Sequence, residues 1–199
     1  MLAHSARPET KRPDIERAAL RLFVTRGLRG TTVRDIASHA GVAEGTLYRH
    51  WRSKRELARA LFRGCSARVA GDLRRAASRE KAAPAKLAAA IRALFRSARE
   101  ETLLYEMLIL PPSRETQDFI AETESPADVL TAILAEGQRQ REVVECDPRL
   151  AAECIMGAIN RVAVHRRLGT LPRRLAQYEH ELAEAALATL TVRRRRNTA

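Results

Sequence analysis

Apolar positions along this 199-residue chain fall into helical stripes separated by glycine and proline. Ile15, Ala18, Ala19, Leu22 and Phe23 recur at three- and four-residue intervals behind Pro13 and stop at Arg26-Gly27. That pattern predicts a first helix. Val33, Ile36, Ala37 and Ala40 repeat the interval, with Thr32 ahead as N-cap, Asp35 where a capping carboxylate belongs, and Gly41 as the break. Val42 resumes the pattern. Leu47 and Trp51, at i and i+4, then predict a short helix that turns Gly45, Thr46, Arg49 and His50 outward, flanked by Glu44 and Tyr48. Ser53-Lys54-Arg55-Glu56 reads as a full capping box opening a helix through Leu57, Leu61 and Phe62 toward the seventies. Helix, glycine turn, then a helix with a small and basic outer face is the helix-turn-helix arrangement.

The remainder is also helical in pattern. A polar, alanine-rich stretch at Arg75–Ala83 reads as an inter-domain connection, and Pro84 opens a helix carrying Leu87, Ile91, Leu94 and Phe95. Leu103–Leu110 is apolar up to Pro111-Pro112, and Ser113–Glu124 places Phe119-Ile120 in polar surroundings. Ser125-Pro126 and Asp147-Pro148 each pair an N-cap with a proline at the first helical position. The second of these opens a helix to Leu168 that is apolar over most of its circumference from Ala151 to Ala158. Leu171-Pro172 begins a last helix with Leu175, Tyr178, Leu182 and Leu190. No strand-like alternation is visible, so the expected fold is all-α. The expected organisation is an arm over 1–12, a three-helix DNA-binding domain over 13–62, a helical effector-binding and dimerisation domain over 63–192, and a basic tail over 193–199.

Thr32, Ile36-Ala37, Ala40-Gly41-Val42, Gly45-Thr46-Leu47-Tyr48, His50-Trp51, Lys54 and Leu57 resemble, in register, the DNA-binding domain of the tetracycline-repressor (TetR) family of bacterial regulators. This motif is specific and covers about the first third of the chain; beyond it the resemblance is architectural. It implies a dimer on a palindromic operator in double-stranded DNA, released by a small molecule. Arg49 has the fork geometry to grip guanine O6 and N7. Thr46 is placed for a base edge or a thymine methyl, and Gly45 for close backbone approach. Tyr48 and His50 stand where similar proteins contact phosphate, as do Lys54 and the Thr32 hydroxyl or nearby amides; Arg34 is grouped with them. Trp51 is expected in the core, where the family usually has Phe. His39 and His165 read as ordinary helical residues.

Two positions depart from the family pattern. Ala43 is a poor N-cap, and Glu44 stands where lysine is common. Either Glu44 accepts a hydrogen bond from a cytosine amino group, or it bends away and affinity rests on Arg49, Arg52 and Lys54.

The resemblance also implies an effector pocket in the body, with Leu94, Leu104, Tyr105, Met107, Leu108, Phe119, Leu134, Met156 and Asn160 as candidate lining or ordinary core. Asn160, polar in an apolar helix, is the natural ligand-orienting group, and the ligand is expected to be small and apolar or amphipathic. A helix apolar nearly all round must be covered on two sides. Ile155, Ala158, Ile159, Val162, Tyr178, Leu182 and Ala186 are therefore candidates for the homodimer interface, as a four-helix bundle between two chains.

Charge sharpens this reading. The net charge is +12, and residues 1–63 hold 14 Lys+Arg against 6 Asp+Glu while residues 64–192 hold 18 of each. Nucleic-acid binding through the first 63 residues accounts for positive charge segregated in this way. Arg7, Lys11 and Arg12 either reach phosphates or are simply solvated, and Arg193–Arg196 supply the remaining excess. Three cysteines without CxxC spacing argue against a disulfide framework or a zinc site. The polar N-terminus and the absence of a long apolar run predict a cytoplasmic protein with no membrane partner. No GxSxG, HExxH or phosphate-cradling glycine loop is present, so no catalytic residue, cofactor or metal is expected. The rival to a ligand-responsive repressor is a constitutive DNA-binding or architectural protein without an effector.

Overall fold

The computed structural model describes residues 11–109, 118–119, 123–171 and 175–190. Among them are nine helices and no strand. They are α1 (Arg12–Arg26), α2 (Val33–Ala40), α3 (Glu44–Tyr48), α4 (Lys54–Ala77), α5 (Ala83–Glu100), α6 (Thr102–Leu108), α7 (Pro126–Arg139), α8 (Pro148–Arg167) and α9 (Leu175–Leu190). Arg7, most of Ser113–Glu124, Pro172 and the Arg193–Arg196 tail lie outside the described residues.

The caps read from sequence are in place, with one exception. Thr32 and Asp35 form a reciprocal capping box, as do Ser125 and Asp128. The Asp147 carboxylate accepts from the amides of Arg149 (2.8 Å) and Leu150 (3.1 Å). The box at Ser53 is only half formed. Ser53 Oγ accepts from the Glu56 amide at 3.1 Å, but the Glu56 carboxylate reaches back to the amide of Arg52, at 2.6 Å, rather than to that of Ser53.

Two hydrophobic cores are built on one helix. Leu57, Ala58 and Cys65 of α4 pack with Ile15, Leu22 and Phe23 of α1, Ile36 of α2, and Leu47 and Trp51. Val69, Ala70, Leu73 and Ala77, further along the same helix, pack with α5, α7, α8 and Ala183 of α9. The boundary expected at residue 62 thus falls inside α4, and the cores change over between Cys65 and Val69. Arg75–Ala83 is no inter-domain connection. It is the last turn of α4 and the short link to α5, a mostly exposed corner whose two buried residues, Ala77 and Ala83, both enter the second core. A polar, alanine-rich composition suits a linker and a tight inter-helix corner equally well, which is why the sequence misleads there.

Cys65 is buried, and desolvation pushes its thiol up to about 12, with Glu101 adding to the rise. Cys146 and Cys154 are exposed. A colorimetric thiol titration of the native protein at pH 8 is therefore expected to count two rapidly reacting cysteines, and three after denaturation. Gly137 of α7 lies so close to its neighbours that an added Cβ would stand 2.5 Å from Val143 Cγ2 and 2.7 Å from Ala83 Cβ. Gly→Ala in an open helix gains up to about 1 kcal/mol, but overpacking costs about 1–3 kcal/mol and wins here. Gly137→Ala should lower the thermal midpoint by a few degrees, measured by circular dichroism.

Candidate nucleic-acid interface

The interface is built from α2, the turn after it and α3. The amphipathic α2 buries Ile36 and Ala37. Gly41 takes the left-handed conformation (φ 64°, ψ 38°), and the Val42 amide donates to Ala37 O at 3.0 Å, so the chain reverses into α3 at once. α3 has five residues and no side-chain cap at Ala43. So short a helix is not stable alone; Leu47, 3% exposed, and Trp51, 5% exposed, hold it against the core. The Trp51 ring has Arg12 above it at 5.4 Å and His50 tilted beside it. Arg12 is therefore the first residue of α1 with a packing role, not part of a free arm, and it also pairs with Glu16.

This anchoring leaves Glu44, Gly45, Tyr48, Arg49 and His50 exposed and Thr46 half-buried on the outer side. Arg34 is exposed on α2. The side chains of Arg34, Glu44 and Arg49 make no hydrogen bond or ion pair with other described residues. Tyr48 is 56% exposed, which is unusual for a large ring. A Cβ at Gly45 would meet nothing within 4 Å. The fold itself gives no reason for glycine there.

Two of the sequence-derived candidates have other duties. The Thr32 hydroxyl donates to Asp35 Oδ2 at 2.6 Å and accepts from the Asp35 amide at 3.1 Å. The hydroxyl's bond to Oδ2 and a second from the Thr32 amide at 2.8 Å, with Arg26 nearby, hold the Asp35 carboxyl below its ordinary range. The hydroxyl proton is therefore committed, and an anion at this helix start would meet backbone amides. The Lys54 ammonium donates to Leu28 O at 2.6 Å and Thr31 O at 2.7 Å. Thr31, fully buried, in turn donates to Gly27 O at 2.8 Å. Lys54 is thus a stitch tying the α1–α2 loop to the start of α4, with one of its three N–H donors left over. A lysine in a basic motif gives no sequence signal of such a role.

The candidate pocket residues separate into two groups. Leu94, Tyr105 and Leu134 lie in the second core, with Met156 packed against it. Tyr105 is 2% exposed and its hydroxyl donates to Asn160 Oδ1 at 2.6 Å, so the structure brings these two predicted residues together. Burial raises the Tyr105 pKa, which keeps that donor protonated. Met107 and Phe119 instead belong to the first core, and Leu104 and Leu108 pack against both. Phe119 stacks near Phe62 at 6.4 Å with the guanidinium groups of Arg55 and Arg59 at 5.9 and 5.4 Å from its ring, while Arg55 pairs with Asp118. Hydrophobicity alone could not say which core these side chains would enter.

Of the dimer candidates, Ile155 and Ile159 are members of the chain's own second core, and Val162, Tyr178, Leu182 and Ala186 are partly buried beside it. Ala158 is exposed, as are Cys154, Gly157 and Leu150. An open apolar groove of about 460 Å³ runs between α8 and α9, with Leu150, Ile155, Ala158, Ile159, Leu182 and Ala186 among its walls.

The profile of the family described as "Bacterial regulatory proteins, tetR family" matches residues 15–61. Over that segment the chain carries the DNA-binding domain of the TetR family. It is 47% identical over 55 residues to the HTH-type transcriptional repressor KstR2 of Mycobacterium tuberculosis (28% of either chain), and 48% identical over 54 residues to the HTH-type transcriptional regulator TtgR of Pseudomonas putida (27% of this chain, 25% of that one). The matched segment thus spans about a quarter of those relatives. The likeness of the whole chain is one of fold. The transcriptional regulator FadR of Bacillus subtilis, solved with stearoyl-CoA, superposes with a TM-score of 0.77 at 23% identity, over 89% of this chain and 98% of that one. A TetR-family regulator from Shewanella gives 0.73 at 23%, over 93% and 100%.

Because nothing in the fold occupies the space above Gly45, Gly45→Ala should leave the melting temperature unchanged or raise it, by up to about 1 kcal/mol of stability from helix propensity alone. Scanning calorimetry checks this, and a fall would mean the glycine is structural.

Proposed function

We propose that this protein is a transcriptional repressor that binds a palindromic operator as a homodimer through α2 and α3 and is released by a small molecule. The observation that carries the reading is the outer face of α3. Gly45, Tyr48 and Arg49 are exposed and serve no purpose in the fold, while Leu47 and Trp51 behind them are buried. The concentration of positive charge in residues 1–63 supplies the phosphate attraction. Arg49 reads a guanine edge, Thr46 a base edge or methyl, and Gly45 admits the DNA backbone or base edge closely. Tyr48, His50, Arg34 and the amides at the start of α2 meet phosphates. The family relatives named as repressors and regulators support this assignment.

Two readers are needed to span successive major grooves. The α8–α9 groove, with exposed Leu150 and Ala158 on its rim, is the surface for the second copy. The effector is small and apolar or amphipathic, oriented by the Tyr105–Asn160 pair, and stearoyl-CoA in the FadR neighbour supports an amphipathic class. No described helix is long and apolar enough to cross a membrane. The family consists of regulators rather than enzymes.

Arg49→Ala is expected to weaken binding to the cognate palindrome by about 1–3 kcal/mol and to relax preference at one position per half-site. Fluorescence anisotropy with the palindrome and a scrambled duplex, at fixed salt, reads both effects. Equal losses on both duplexes would demote Arg49 to a phosphate contact.

A further inference from the structure

The neutral balance of residues 64–192 conceals a strong division. Residues 64–100 hold 9 Lys+Arg against 3 Asp+Glu, and residues 101–192 hold 9 against 15. The second half of α4 and all of α5 therefore extend the positive charge of the reader into the body. Where these helices lie side by side, the charge converges on a cleft of about 250 Å³. Arg68 and Arg75 of α4, Arg79 just beyond it and Arg96 of α5 line this cleft. Its carboxylates are already engaged: Glu101 pairs with Arg68, Asp72 with Arg75, and Glu100 with Arg99. The side chains of Arg79 and Arg96 have no hydrogen bond or ion pair among the described residues.

Isolated exposed arginines are ordinary surface. Here three carboxylates share the cleft with four arginines, but each is taken by Arg68, Arg75 or Arg99, so Arg79 and Arg96 are left without a counter-charge. The planar arginine fork matches phosphate oxygens in paired hydrogen bonds, which are about twice as strong as neutral ones. We propose that the α4–α5 cleft binds a phosphate-bearing small molecule, its phosphate or pyrophosphate group held between Arg79 and Arg96 and flanked by Arg68 and Arg75. A bound dianion competes with Glu101 for Arg68 and so loosens a tie between α4 and the residue that precedes α6. That consequence for DNA release rests on the repressor reading; the binding does not.

Isothermal titration calorimetry of the full-length protein at low salt, with sodium phosphate, sodium pyrophosphate and ADP as separate probes, tests the site without DNA. Pyrophosphate or ADP should bind once per chain at sub-millimolar concentration. The Arg79→Ala/Arg96→Ala variant should lose about tenfold or more in affinity, and Arg92→Ala, exposed on α5 but outside the cleft, should stay within about twofold. Binding of inorganic phosphate alone would place a single phosphate group there; binding of ADP but not phosphate would place a diphosphate. The proposal is overturned if the wild type takes up none of the three, or if Arg92→Ala loses as much as the double variant. It is likewise overturned if the double variant weakens only duplex DNA, which would make the cleft a DNA contact. Absence of an operator would leave the calorimetric result unaffected.

Discussion

The constraint on which this molecule turns is that one helix closes two cores. α4 has 24 residues, so it is about 36 Å long at 1.5 Å per residue. Its first half buries Leu57 and Ala58 under the reader, and its second half buries Val69 and Leu73 under the body. Each fully buried Leu or Val contributes about 1.5–3 kcal/mol, so neither half can lift away cheaply. The two halves of α4 are therefore each held to a core, and the reader and the body are joined through a single continuous helix. Lys54 reinforces the arrangement by stitching the start of α4 to the α1–α2 loop.

A second link runs through α6. Met107 and Phe119 enter the reader's core while Tyr105 enters the body's, and Leu104 and Leu108 touch both. The Tyr105–Asn160 hydrogen bond therefore lies one helical turn from side chains that support the reader. A change at that bond is mechanically close to α4 by two routes, along α4 itself and across α6.

How much of this was legible in the sequence follows from which interactions are local. Helix starts at Thr32, Ser125 and Asp147, the α1 stripe and the outward set on α3 depend on neighbours within four residues, and periodicity finds them. What was missed depends on long-range geometry. The destination of Met107 and Phe119, the carbonyls that occupy Lys54, and the burial of Ile155 and Ile159 in their own chain are set by partners tens of residues away, which local pattern does not encode. The half-formed box at Ser53 is a subtler case: the acidic arm is present, but it reaches one residue past the cap, to the amide of Arg52. The corner at Arg75–Ala83 failed because alanine serves both linkers and close helix contacts.

The poorly capped, five-residue α3 is anchored chiefly by buried Leu47 and by Trp51 just beyond it, and the side chains of Glu44 and Arg49 on its outer face make no hydrogen bond or ion pair with other described residues. Selection can therefore exchange the groups at 44, 45 and 49 with little effect on folding, since the anchors that hold the helix lie on its opposite side. Descendants of such a chain can acquire new target sequences in single steps without passing through unfolded intermediates. Glu44, unusual for its position yet harmless to the fold, is what a product of that freedom looks like.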